Sequence, residues 1–302
     1  MVTGCRSVSP DTAAAARNID GVFEAGAIIL AGGRSSRMGT PKAALDWHGS
    51  TLLRRVSGLA QRAVDGPVVV VRAPGQELPD LPASVAVVTD AREGRGPLQG
   101  IAAGFAAMHN RAVVAYVSST DVPLLHPEFI RRVLAGFDPD TDVVVPVLHG
   151  FRQPLAAAYR LSLLHLVEEL IAADQLKPAF LFERCNVSWL DDAALLADDR
   201  LARADAELAS VRNLNEPSDY REAHALPAPE VTVRRYGPLA ARGAPREQTA
   251  RAWTLGELAA GVGIPLDRHV VAALNGDQIT RDPELPLAAG DAVAFLAADA
   301  GG

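Results

Sequence analysis

Positive charge set in a glycine-rich loop is the first chemistry the chain offers. Leu30-Ala31-Gly32-Gly33-Arg34-Ser35-Ser36-Arg37-Met38-Gly39-Thr40-Pro41-Lys42 follows the apolar run Ala27-Ile28-Ile29. A buried strand opening into side-chain-free backbone lets N–H groups approach phosphate oxygens, while Arg37 and Lys42 bring positive charge to the same place. The spacing is neither that of Walker A nor G-x-G-x-x-G. Two carboxylates stand at matching strand ends: Asp90 closes Val87-Val88-Thr89-Asp90, and Asp121 closes Ser118-Ser119-Thr120-Asp121. Ligands of open α/β sheets lie beyond the carboxyl ends of the strands, so both aspartates are expected on the loop's side, where one can hold magnesium. Aspartate at a strand end also serves as a plain loop or cap residue. The following Val122-Pro123 restrains the chain and favours a fixed, ligating Asp121. Gly94-Arg95-Gly96-Pro97-Leu98-Gln99-Gly100 is a second glycine-rich connection, able to present amides or simply to turn into a helix with proline in its first turn.

The elements that must hold these groups alternate short β-branched runs with longer helical stretches from residue 27 to about 220, the mark of βαβ units around a mainly parallel sheet. Strands are predicted at 27–30, 67–71, 85–88, 112–117 and 142–147, and helices at 52–64, 98–109 and 127–137. The prolines of Leu226-Pro227-Ala228-Pro229-Glu230 break this pattern and leave an extended connector. Beyond it a smaller α+β unit is expected: strands at 231–235, 270–274 and 292–296, a threonine-capped helix at 254–260 and an Asn275-Gly276 turn. The predicted organisation is a flexible extension over 1–25, an α/β domain with a doubly wound, Rossmann-like sheet over 26–226, a linker at 227–230 and a small domain over 231–302.

Composition narrows the function. With 302 residues and 49% apolar content the chain can bury two cores. Its formal charge of −7 argues against a nucleic-acid partner, so a phosphorylated substrate must be held by local positive groups. Cys5 and Cys185 stand apart with no metal-ligand spacing, which suits a reducing cytoplasm. No stretch has a signal-peptide core or the length to span a membrane. His48, His109, His126 and His149 are expected at the surface or in packing, and Asp191-Asp192 and Asp198-Asp199 near helix ends.

Five segments in order resemble the molybdenum cofactor guanylyltransferases of the MobA type: the glycine loop, Gly-Pro-Leu-x-Gly, Asp121 before Val-Pro, Gln153-Pro154-Leu155-Ala156-Ala157-Ala158-Tyr159-Arg160, and Asn213-Leu214-Asn215-Glu216-Pro217-Ser218-Asp219. The resemblance covers about 27–220. It implies GTP contact by Leu30, Ala31, Gly32 and Asp90, phosphates lined by Gly33 and Arg37, charge stabilisation by Lys42, Mg2+ at Asp121, and Asn213 and Asn215 on the acceptor side. The reaction implied joins GMP from GTP to the terminal phosphate of Mo-molybdopterin. A family asparagine just after the second strand has no counterpart in Val70-Val71-Arg72-Ala73, so guanine selectivity leans on the Gly32-Gly33 pair.

From Val231 onward the chain resembles the MoaD and ThiS sulfur carriers, small ubiquitin-like β-grasp proteins, through Val231-Thr232-Val233-Arg234-Arg235-Tyr236, Leu274-Asn275-Gly276-Asp277-Gln278-Ile279, the segment Leu287 to Leu296 and the terminal Gly301-Gly302. A tail without side chains can thread a narrow enzyme channel. The resemblance implies an adenylating enzyme and the molybdopterin synthase large subunit as partners of that tail. Two other functions remain open from the residues: a cytidylyl or F420-pathway nucleotidyltransferase, and a degenerate nucleotide binder that docks partners.

Overall fold

The computed structural model describes residues 24–32, 41–92, 94–240 and 245–297. Gly33, Arg37, Gly301 and Gly302 lie outside the described residues, as does most of the predicted extension.

The first sheet is built from β1 (Ala25–Leu30), β2 (Val68–Arg72), β3 (Val85–Thr89), β4 (Val114–Ser119), β5 (Val143–Leu148), β6 (Phe151–Arg152), β7 (Ala156–Arg160) and β8 (Val187–Asp191). Its order is β3-β2-β1-β4-β7-β5-β6, with β8 paired to β5. Strands β1 to β4 run parallel, and β7 enters antiparallel between β4 and β5. The sheet is thus parallel-rich, as expected, and β1 begins two residues before the predicted start, taking Ala25 out of the extension.

Among the described residues the α-helices of this unit are α1 (Leu52–Gln61), α2 (Pro97–Ala107), α3 (Pro127–Leu134), α4 (Leu164–Ala172), α5 (Pro178–Phe182), α6 (Asp192–Leu196) and α7 (Asp199–Ala204) around the sheet, and α8 (Pro217–His224), which packs against Trp47 and Leu52. Because strand side chains alternate, Ala27 and Ile29 pack with Leu53, Val56 and Phe129 of α1 and α3, while Ile28 packs with Leu98, Ile101 and Phe105 of α2. The chain therefore leaves β1 towards one face and reaches β4 from the other, opening a topological switch point between them. Helix α2 comes close to β1 because Gly104 has no side chain: a Cβ there would stand 2.6 Å from Ile28 Cδ1. Asp191 and Asp198, expected near helix ends, are the caps of α6 and α7.

A second sheet holds β9 (Glu230–Arg235), β10 (Glu247–Arg251), β11 (Val270–Leu274), β12 (Gln278–Thr280) and β13 (Ala292–Ala297), with α9 (Leu255–Gly261) on one face. Its order is β10-β9-β13-β11-β12, with only the central β9–β13 pair parallel. Numbered within the unit this is 2-1-5-3-4, the β-grasp arrangement. The Asn275-Gly276 turn has φ of 53° and 94°, the left-handed values a two-residue hairpin demands. Thr254 caps α9 through its hydroxyl, as predicted. The C-terminal unit rests on α1: Arg54 binds both carboxylate oxygens of Asp282 at 2.9 Å, and Arg62 pairs with the buried Asp291.

Candidate active site

A cleft of about 330 Å³ lies over the carboxyl ends of β1, β2 and β4. Leu30 and Gly32 form one wall, Asp90 another, and Gly96, Pro97 and Gly100 at the start of α2 a third. Gly96 occupies a left-handed conformation (φ 81°), and a Cβ there would stand 3.0 Å from the Leu176 carbonyl. Pro97 stands in the first turn of α2, and no side chain caps the helix, so its positive end faces the cleft.

The main-chain N–H groups of Ala31 and Gly32 do not present themselves to a phosphate. Both donate to the Val71 carbonyl, at 2.8 and 3.2 Å, because the chain is still completing the β1–β2 ladder there. Gly32 and Leu30 line the cleft by their surface, while Ala31 is buried behind it.

Lys42 and Asp121 are brought together. Lys42 stands in a short 3-10 turn just past Pro41, and its Nζ donates to Asp121 Oδ2 at 2.6 Å. Asp121 Oδ1 accepts from Ser119 Oγ at 2.5 Å, and Ser119 itself lines the cleft. The Leu214 N–H donates to the Asp121 carbonyl at 2.9 Å, which seats Asn213 and Asn215, both exposed, on either side of that contact. Asp219 accepts from the Asn215 and Glu216 N–H groups, which hold its carboxyl below the usual range, with nearby Lys42 acting in the same direction. Burial raises the Asp90 carboxyl above its ordinary value, against the pull of the Arg92 and Ala91 N–H groups.

Three further residues shape the site. Ser119 orients Asp121. Gln76 joins two strand ends at the cleft, accepting from the Ala73 N–H and donating to the Ala31 carbonyl, both at 2.9 Å. Asp219 closes the turn at Asn215 and Glu216. Among the described residues no group of three His, Cys, Asp or Glu side chains is placed to hold a metal.

The MobA-like NTP transferase domain matches residues 27–186, which include β1, the cleft and Asp121. The chain belongs to this family. It is a nucleotidyltransferase. A probable molybdenum cofactor guanylyltransferase of Bacillus cereus is 30% identical over 198 residues, spanning 65% of this chain and 94% of that protein. One from Bacillus mycoides is 31% identical over 165 residues, spanning 54% of this chain and 82% of its own. The crystal structure of molybdopterin-guanine dinucleotide biosynthesis protein A from Archaeoglobus fulgidus shares the fold, with a TM-score of 0.51 and 23% identity over 66% of this chain and 96% of that one. The MobA-like match ends well before β9. No helix among the described residues is long and apolar enough to cross a membrane.

Proposed function

We propose that this transferase moves GMP from GTP to the terminal phosphate of Mo-molybdopterin in the cytoplasm, giving the guanine dinucleotide and pyrophosphate. The observation that carries this reading is the Lys42–Asp121 pair, held by Ser119 at the rim of the cleft and by Leu214 on the Asn213/Asn215 side. The acceptor is a phosphate monoester, already ionised near neutrality, so its oxygen attacks the α-phosphorus without a general base. The residues supply position and charge: Leu30, Gly32 and Asp90 shape the nucleotide cleft, Lys42 offsets charge on the phosphates, and Asn213 and Asn215 face the acceptor. Asp121 offers one hard carboxylate at a strand end, which fits magnesium, an ion that takes one or two protein carboxylates and completes its shell with substrate phosphates and water. Bound there, the ion would neutralise negative charge on the phosphate oxygens. Gly33 and Arg37 extend the phosphate side in this reading.

Pyrophosphate release with Mo-molybdopterin and, separately, GTP, CTP and ATP tests the assignment. GTP alone is expected to support turnover; preference for CTP would move the chain to the cytidylyl enzymes.

For residues 231–302, we propose a sulfur carrier for molybdopterin synthesis, served by an adenylating enzyme and a molybdopterin synthase large subunit through Gly301-Gly302. Support comes from the 2-1-5-3-4 strand order and from polarity. Asp291, just before β13, is docked on α1, while β13 carries the chain away from that contact towards Ala297. Mass spectrometry of the protein from its native host should find a thiocarboxylate at Gly302; an unmodified carboxylate under molybdopterin-producing conditions would refute the carrier role.

A further inference from the structure

Helix α1 faces two ways. Leu53, Val56 and Leu59 pack under the first sheet, while Arg54, Arg55 and the adjoining Arg62 face the C-terminal unit. Arg54 touches both units at the surface, through the Asp80 carbonyl at 3.5 Å and Asp282, whereas Arg55 joins them from a buried position. It is 3% exposed, and its Nε donates to the Pro123 carbonyl at 2.5 Å. Its Nη1 and Nη2 donate to the Trp253 and Leu287 carbonyls, at 3.2 and 3.3 Å, and the guanidinium lies over the Trp253 ring at 4.8 Å. Gly58, one turn further along, admits Pro286: a Cβ there would stand 2.8 Å from its ring.

A buried charge held by three carbonyls and a ring face, with no carboxylate among the described residues hydrogen-bonded to it, is an expensive way to join two surfaces, since apolar residues of similar volume are often as stabilising. Burial and neighbouring Arg62 lower the Arg55 pKa to about 9, so the group remains charged at neutral pH. What a planar guanidinium gives that an apolar residue cannot is fixed direction: donors in one plane set the places of the groups they bind. One of those groups is Pro123, two residues beyond Asp121. The same turn is held by the Leu125 N–H on the Val122 carbonyl and by the Leu214 N–H on the Asp121 carbonyl.

We propose that Arg55 is a positioning residue through which the docked C-terminal unit fixes the Asp121 turn, so that the transferase site takes its working geometry only while that unit rests on α1. The proposal rests on the reading that Asp121 serves the transfer reaction. It makes the C-terminal unit part of the enzyme as well as a separate module.

The test uses the full chain with Trp253→Leu, which alters the far side of the contact, and Arg55→Lys, which keeps the charge and loses the fork. Displacement of a catalytic group by an ångström can cost up to about 100-fold, so kcat for pyrophosphate release should fall at least about tenfold in both variants, with KM for GTP within about twofold. Hydrogen exchange at the Leu125 and Leu214 amides should quicken in both. A Trp253→Leu protein that is less heat-stable yet keeps wild-type kcat and wild-type exchange at these amides would overturn the proposal, and so would full activity of Arg55→Lys. If neither variant folds, exchange of the unaltered protein in low urea decides: Leu125 and Leu214 should open together with the Leu287 amide, and independent opening refutes the coupling. Lack of pyrophosphate release by the unaltered protein with every nucleotide would count against the transfer reading alone, and the exchange experiment would still judge the coupling.

Discussion

Lys42 Nζ and Asp121 Oδ2 stand 2.6 Å apart, joining the end of the glycine loop to the end of β4. The two side chains are 20% and 15% exposed, open enough to be reached by substrate and dry enough for charge to matter. In the proposed reaction an incoming phosphate would compete with Asp121 for Lys42, so each group would act on the other's availability.

Asp121→Ala should abolish turnover while GTP binding weakens less, and Lys42→Ala should lower kcat by about 100-fold or more, the scale of losing one preorganised charge-stabilising group. Because the two act as a unit, the double variant should lose little beyond the worse single one. Pyrophosphate release and direct GTP titration of the three proteins check this. Full activity in Asp121→Ala would remove the basis of the site assignment.

Helix α2 has two glycines against β1 with different consequences. A Cβ on Gly104 would stand 2.6 Å from Ile28 in the core, so Gly104→Ala should destabilise by about 1–3 kcal/mol, read from urea unfolding. A Cβ on Gly100 would meet the end of the Leu30 side chain at 3.0 Å, and both residues line the cleft. Gly100→Ala should therefore raise KM for the nucleotide several-fold with a smaller loss of stability. Equal stability losses and an unchanged KM in both would contradict this account.

Much of this architecture is legible because β2 and β5 are runs of valine and β1 ends in Ile28-Ile29-Leu30, which suit strands covered on both faces. The sequence of β7 does not announce a strand: three alanines carry little β preference, and the segment is a strand only because β4 and β5 flank it. The polar edge strand β10 was hidden for the opposite reason, since half its side chains face water. In the site, Lys42 and Asp121 announced themselves as charges in restricted turns. Ser119 and Gln76 did not, because a hydroxyl or amide shows its use only when its partner is in place. Arg55 was hidden in the polar face of α1, since a sequence does not say whether such a face meets water or another part of the chain.

The contact between units contains ion pairs in unlike surroundings. Asp291 is buried, pairs with Arg62, and also accepts from the Ala288 N–H and the Asn275 amide. Asp291→Ala leaves Arg62 uncompensated in a dry contact and should cost about 3–5 kcal/mol. Asp282, more exposed beside Arg54, should cost no more than about 1 kcal/mol when replaced by alanine. Urea unfolding of the two variants separates the cases; similar losses would mean that burial does not rank these pairs.

Acid should loosen the same contact through His126. Its Nδ1 accepts the Glu128 N–H at the start of α3, which places the proton on Nε2, and Nε2–H donates to the Ala289 carbonyl of the C-terminal unit at 3.1 Å. A second proton would occupy Nδ1 and break the cap. Burial is the largest influence and lowers the pKa from 6.5, partly opposed by the Ala289 carbonyl and the charges of Asp291 and Asp205. A folded-state pKa below the unfolded one gives stability that is present above 6.5 and lost as pH falls through the lowered value. His48, whose pKa is lowered by burial and by charge repulsion from His224, the ring stacked on it at 3.9 Å, acts with the same sign. The urea midpoint should therefore drop between pH 7 and pH 5, and His126→Asn should make that drop shallower without flattening it, since asparagine keeps a cap for α3 and does not titrate. An equally steep drop in His126→Asn would place the acid sensitivity elsewhere.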